Sequence, residues 1–340
     1  MKFLTFTVIF IFLCAWSVAQ VPGYAPLFQD ETPVEIKFSI DIEDLQRETK
    51  DSVYFPSVLT YKTPSGSWDS VRITIRARGN FRRKNCSLPP MRFKINKDDR
   101  DSTIFAGTKS LKLVLPCHSS KTGNDLVLKE YVCYQLYEPT TPYVFGTRLV
   151  NITLVDLGNK NHKTYQLKGF FIEDDDAVAK RFHAKVVDAE KLHPLAMQDT
   201  CSLRFDMFQY MIANTDFSTT FFHNAKVIKT KQGRYIPVAY DFDMSGFVNA
   251  PYATFDPMLN IGSVRERIYR GFCRNEQVTH HVRSEYIALE PKIMDVLGHY
   301  ESLFDSREFN GMKKYMNDFF TTIKNDGLYR QRIEYACRTR

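Results

Sequence analysis

Residues Ser70 to Arg78 read SVRITIRAR. Val71, Ile73, Ile75 and Ala77 fall on one face, with Arg72, Thr74, Arg76 and Arg78 on the other. An unbroken period of two is that of a half-buried strand, here with a basic outer face. Gly79 and Asn80 end it, and residues 81–85, FRRKN, prolong the basic run.

Outward from this strand the pattern repeats. Val34 to Ile42 alternates, Ser57 to Lys62 is a further candidate, and Met91 to Ile95 and Leu111 to Leu115 add two more, carrying Lys94 and Lys112. Leu126 to Tyr137 has helical spacing, with Asp125 at its start and Pro139 limiting its end. Arg148 to Asp156 and Lys163 to Glu173 read as strands again. After Asp174 the chain turns helical: a short helix there, another over Leu203 to Ala213, and long ones over Asn275 to Leu303 and Arg307 to Ile323. A single hairpin, turning at Gly233, interrupts them. The sequence thus predicts an α+β fold. Residues 34–174 form an N-terminal antiparallel sheet lobe with one helix, and residues 175–340 a mainly helical C-terminal lobe with the hairpin.

The chain has 340 residues, 44% hydrophobic and 25% charged, which suits a globular protein with an ample core. Its net charge of +7 is mild, and the Arg72 to Lys84 stretch holds much of it. Residues 1–19 read as a signal peptide: Lys2, an apolar run from Phe3 to Trp16, and a small-x-small site at Ser17 to Ala19. Bulky Leu13 before Cys14 disfavours a lipoprotein signal. Residues 20–33 form a leader, and no later stretch is apolar enough for a stable membrane span. The mature protein is expected outside the cytoplasm, secreted or periplasmic. Six further cysteines allow up to three disulfides, with no zinc-type spacing among them. No recognition-helix pattern, HExxH, Walker loop or serine-hydrolase elbow occurs, so nucleic acid is not an expected partner.

The chemistry concentrates between Met211 and Tyr252. Asn214 and Asp216 close a helix, His223 and Asn224 precede one hairpin strand, and Asp241 and Asp243 follow the other. Phosphoryl transfer asks for a carboxylate at the acceptor hydroxyl, carboxylate and amide oxygens for Mg²⁺, and cations for phosphates. Strand alternation would put Asp241 and Asp243 on one face, toward one metal. Single Asp or Asn residues in loops are more often turn caps, and His223 alone is more often a structural hydrogen-bonder. The basic loop at Arg78, Gly79 and Asn80 could receive phosphates through side chains and backbone N–H groups. A strand lysine held by Glu130 could do the same, and the place of Lys94 just after the basic loop favours it over Lys112. Glu173, ending a strand, would border the nucleotide at the passage between lobes. Paired carboxylates also suit a hydrolase, though the amides and basic loop make that less economical.

In this order the motifs resemble the spore-coat protein H (CotH) kinase family, an atypical group with a two-lobed, protein-kinase-like fold. The resemblance rests on Arg78-Gly79-Asn80, the PMRFKI segment holding Lys94, and Gly169 to Glu173. It continues through Asn214 and Asp216 to Asp241, Asp243, Ser245 and Gly246, and so spans residues 34 to 300. It implies transfer of the ATP γ-phosphate, with Mg²⁺ or Mn²⁺, to Ser or Thr of a secreted or cell-surface protein substrate. Asp216 matches the catalytic-loop aspartate, Asp241 the metal-binding one, and Asn224 the metal-binding amide. Phe217 stands where the family has arginine after the aspartate, and Asn224 comes later than usual. An inactive relative, a pseudokinase serving as a secreted binding or scaffold protein, is the alternative.

Overall fold

The computed structural model describes residues 23–79, 81–158 and 162–339. The signal-peptide segment and Asn80 lie outside the described residues.

Seven strands close into a barrel. They are β1 (Val34–Ile40), β2 (Phe55–Lys62), β3 (Trp68–Ala77), β4 (Met91–Ile95), β5 (Ser110–Val114), β6 (Thr147–Asp156) and β7 (Thr164–Ile172). The order around the barrel is β1-β2-β3-β4-β5-β7-β6, and β6 returns to β1. Six neighbours are antiparallel; the closing pair is parallel, from Val34 opposite Val150 to Ile40 opposite Asp156. Four helices accompany these strands: α1 (Ile42–Arg47), α2 (Phe81–Asn85), α3 (Lys97–Arg100) and α4 (Lys121–Tyr137).

This closure overturns the expected two-lobed, kinase-like architecture with an open antiparallel sheet and one helix. Alternation tells which residues face inward, but not which strand partners which. With β1 paired to β6, the sheet has no free edge to open onto solvent.

The inward residues of β3 behave as their pattern dictates. Val71, Ile73, Ile75 and Ala77 are all buried in the barrel core. Phe93 sits among them, edge-on to Phe38 at 5.2 Å and to Phe171 at 5.9 Å. Each such aromatic pair adds about 1 kcal/mol beyond its buried area.

The rest of the chain builds a second core against the outer face of β7. Its elements are α5 (Asp175–Arg181), β8 (Lys185–Val186), α6 (Asp199–Met211), β9 (Ala225–Lys229), β10 (Tyr235–Ala239), α7 (Glu276–His299), α8 (Ser306–Lys324) and α9 (Asp326–Tyr329). α4 belongs to this core through Val127, Tyr131, Tyr134 and Tyr137, and Phe170 and Ile172 join it from β7. Side-chain caps start the helices: Ser120 Oγ accepts from Gly123 N–H at 3.0 Å, and Asp305 Oδ1 from Glu308 N–H at 2.9 Å. β9 and β10 form the hairpin, turned at Gly233, with β8 on the far side of β9.

Two disulfides form, Cys86–Cys117 and Cys273–Cys337, while Cys133 and Cys201 are free. Among the described residues there is no third pairing, which the cysteine count allowed. Among the described residues no helix is long and apolar enough to cross a membrane. Both observations are compatible with an exported protein.

Candidate functional site

A cleft of about 620 Å³ opens where the barrel meets the second core. One wall is the outer end of β3 with the loop after it, α2, β4, β5 and α4. The other is the loop from Asp216 to Asn224 and the turn after β10. The cleft gathers Arg78, Gly79, Lys112, Glu130, Asp216, Asn224, Asp241 and Asp243. Lys94, Glu173 and Asn214 do not line it.

Lys94 and Lys112 are separated by strand register. Arg92 on β4 lies opposite Lys112, while Lys94 lies opposite Ser110, farther from the cleft. Lys94 is exposed and sits 3.8 Å over the Tyr54 ring. Lys112 is buried and bonds to Asp175 at the start of α5. Lys226 reaches the same carboxylate at 3.1 Å. Burial works against the Asp175 charge, yet the two lysines hold its pKa down at about 2.

The expected lysine–glutamate pair is therefore replaced by two others. Glu130 on α4 meets Arg82 of α2, with Oε2 and Nη1 3.8 Å apart, and the same nitrogen is 3.9 Å from Asp243 Oδ2. All three groups are buried. Burial opposes the Arg82 charge, but Tyr252, Asp243 and Glu130 together raise its pKa. Burial and the Asp243 charge push Glu130 well above the usual carboxylate range.

Glu173 is buried and engaged within the protein. Its carboxylate receives Arg181 Nη2 at 2.8 Å and Gly146 N–H at 3.0 Å, deep under β6. Asn214, 1% exposed, accepts the Asp216 N–H on Oδ1 at 3.0 Å and so shapes the turn without facing the cleft.

Strand alternation does not place Asp241 and Asp243. β10 ends at Ala239, and Asp241 takes a left-handed φ of +65°. The Tyr134 hydroxyl accepts the Asp241 N–H at 2.8 Å and holds the turn. Left-handed backbone at a non-glycine residue is costly and gathers where function demands it. Asn224 (+46°), Phe222 (+55°) and Ala213 (+49°) share it in the neighbouring loop. Gly79 has φ +75° and leaves open space above its Cα.

Asp216 is held from two sides. His223 Nε2 lies 3.0 Å from its Oδ1, and Asn224 Nδ2 donates to its Oδ2 at 2.9 Å and to its carbonyl at 2.8 Å. Asn224 thus has only Oδ1 left to offer a cation. Asp243 accepts from the Tyr252 hydroxyl at 3.2 Å, and burial and the Asp241 charge push its pKa up to about 6.

Among the described residues no group of three or more His, Cys, Asp or Glu could hold a metal by itself. Two carboxylates on one cleft suit a Mg²⁺ site completed by substrate phosphates and water, and do not suit an all-protein cage. Glu130 and Asp243 share the one Arg82 cation, and the Asp241 charge also acts on it, so the carboxylates of this wall are left for such an ion to offset.

Sequence reasoning passed over several members. Arg82 lay within the basic loop and Asp175 within the Asp174–Asp176 acids, but nothing local marks either as facing a cleft. Arg78 stands out among the cations. It makes no ion pair among the described residues, while its charge acts on Lys112, Glu130, Tyr134 and Tyr240. No protein-family model matches this chain, and no curated protein matches it.

Proposed function

We propose that this cleft transfers the γ-phosphoryl group of ATP to a Ser or Thr hydroxyl of an exported or cell-surface protein. The observation that carries the reading is the unpaired Arg78 guanidinium. It opens on the same cleft as the Asp241 and Asp243 carboxylates, so cationic and anionic walls share one space. A polyphosphate–metal complex presents both charges and would satisfy both walls. The motif resemblance to the spore-coat protein H family points the same way for activity.

Arg78 and Lys112 would meet the phosphate oxygens, with the Gly79 backbone open to close approach. Asp241 and Asp243, with Asn224 Oδ1, would hold Mg²⁺ or Mn²⁺. When bound, that ion neutralises phosphate oxygens as the leaving group departs. Asp216 would orient the acceptor hydroxyl and take its proton. The hydroxyl oxygen bonds to the γ-phosphorus, the bond to the bridging oxygen breaks, and ADP leaves with that electron pair. A carboxylate has about four lone-pair positions, so Asp216 can accept a hydroxyl while holding His223 and Asn224.

One observation favours a second reading, a binding or scaffold protein that does not turn over. Both Asp216 oxygens are already engaged by neighbours. A thermal-shift titration with ATP and Mn²⁺, beside a transfer assay, tests both. Stabilisation with transfer supports the enzyme, stabilisation without transfer the binding protein, and no stabilisation removes the nucleotide reading.

A further inference from the structure

Behind the catalytic loop runs a segment that no sequence motif marks. Residues 262–274 carry Arg265, Arg267, Arg270 and Arg274. Three of these donate to backbone carbonyls of the loops that present the site. Arg265 Nη1 reaches Gly246 O at 3.4 Å, just after the Asp243 turn. Arg267 Nε binds Met211 O at 3.0 Å, at the end of α6. Arg270 Nη1 bonds to Thr215 O and also lies 3.4 Å from Phe217 O.

These last two carbonyls flank Asp216. One guanidinium nitrogen therefore bridges the carbonyls of the two residues on either side of Asp216. Its carbon lies 5.4 Å over the Phe217 ring, which fixes the plane of the fork.

The segment is itself held. Tyr315 of α8 donates its hydroxyl to Arg265 O at 2.8 Å. The Cys273–Cys337 disulfide and the pair Cys273 N–H to Arg338 O and Arg338 N–H to Gly271 O, both 2.9 Å, staple its end to the C-terminal tail. On the other side Gly246 packs so closely that a Cβ would lie 2.3 Å from Val264 O. Gly246 N–H and Phe247 N–H in turn bond Ala213 O and Ile212 O, both at 3.0 Å. Three stretches of backbone are layered: the arginine segment, the turn after Asp243, and the loop of Asp216.

We propose that Arg270 is a positioning residue for Asp216, setting the aspartate by clamping the carbonyls of Thr215 and Phe217. For catalysis this rests on the phosphotransfer reading; for the conformation of the loop it does not. The two N–H bonds of one Nη in a planar, rigid guanidinium can serve two carbonyls at once, whereas a lysine ammonium on a flexible stem holds that geometry poorly.

The test compares the full-length protein with Arg270→Ala and Arg270→Lys by hydrogen–deuterium exchange and by steady-state transfer from ATP and Mn²⁺. The clamp predicts faster exchange confined to residues 214–224. It also predicts a fall in kcat of about 100-fold with KM for ATP unchanged. Millimolar guanidinium should restore part of the rate to Arg270→Ala, and Arg270→Lys should fall between. Unchanged exchange at 214–224, or faster exchange spread through α6, α7 and α8, overturns the proposal. If the wild type transfers nothing while the local exchange change is present, the phosphotransfer reading fails and the clamp stands.

Discussion

Arg82 Nη1 lies 3.9 Å from Asp243 Oδ2, and both side chains are buried. The same guanidinium faces Glu130, so one cation offsets two interior carboxylates. Removing one member of a buried charge pair costs about 3–5 kcal/mol, because the remaining charge is stranded. Arg82→Met should lower the free energy of unfolding by that amount in a urea titration. Adding Asp243→Asn should recover part of it. A change below about 1 kcal/mol would show that Arg82 does not balance these carboxylates.

The Cys86–Cys117 disulfide ties the end of α2 to the segment after β5, across a separation of 31 residues. A loop of that size gives about 3–4 kcal/mol in the chain-entropy view. Cys86→Ala with Cys117→Ala should lose roughly that stability. It should also weaken nucleotide binding, because α2 carries Arg82 into the cleft. Differential scanning calorimetry with and without ATP and Mn²⁺ reads both effects. Equal weakening by the Cys273→Ala, Cys337→Ala pair would show that α2 placement is not the cause.

Asp206, on α6 and away from the cleft, gives a pH prediction. Burial pushes its pKa from 3.8 up to about 7, against the pull of Arg274 and Arg338. With the folded value above the unfolded one, the native state binds the proton more tightly between pH 4 and 7. Stability is thus lost as pH rises through that window and stays lower above it. Asp206→Asn should be neutral near pH 4 and stabilising above pH 7, by at most about 4 kcal/mol. Urea unfolding at the two pH values measures the difference. A gain that is equal at both would contradict the buried-proton assignment.

Lys112 and Lys94 separate the cleft from the barrel surface. Lys112→Gln should weaken ATP binding about 10- to 100-fold, reducing ligand stabilisation by about 1.4–2.7 kcal/mol at saturating nucleotide. Lys94→Gln should leave it unchanged. Equal losses, or none for Lys112, would remove the lysine from the nucleotide contact.

The legibility of this protein follows physical lines. The alternation of Val71 to Arg78 is local, so the strand, its buried face and its basic edge could be read directly. The hairpin over β9 and β10 announced itself through Gly233. Closure of the barrel could not be read, because the β1–β6 pairing joins residues more than a hundred positions apart and leaves the alternation unchanged. The choice between Lys94 and Lys112 could not be read for a related reason. Both point outward from adjacent strands, and only their register places one at the cleft. Asp241 and Asp243 were visible as a carboxylate pair, but their geometry comes from a left-handed turn held by Tyr134, a tertiary contact. Glu130 was assigned a lysine, yet α2 folds back to supply Arg82. Arg270 had no signal at all, since its partners are backbone carbonyls, which every sequence has.

Transfer of label from γ-labelled ATP to a Ser- and Thr-containing protein acceptor in Mn²⁺, by wild type and Asp241→Ala, tests the central claim most directly. The expected result is transfer by the wild type and a loss of at least about 100-fold in the variant, with its fold intact by circular dichroism. Undiminished transfer by Asp241→Ala, or none by a wild type that binds ATP, would contradict it.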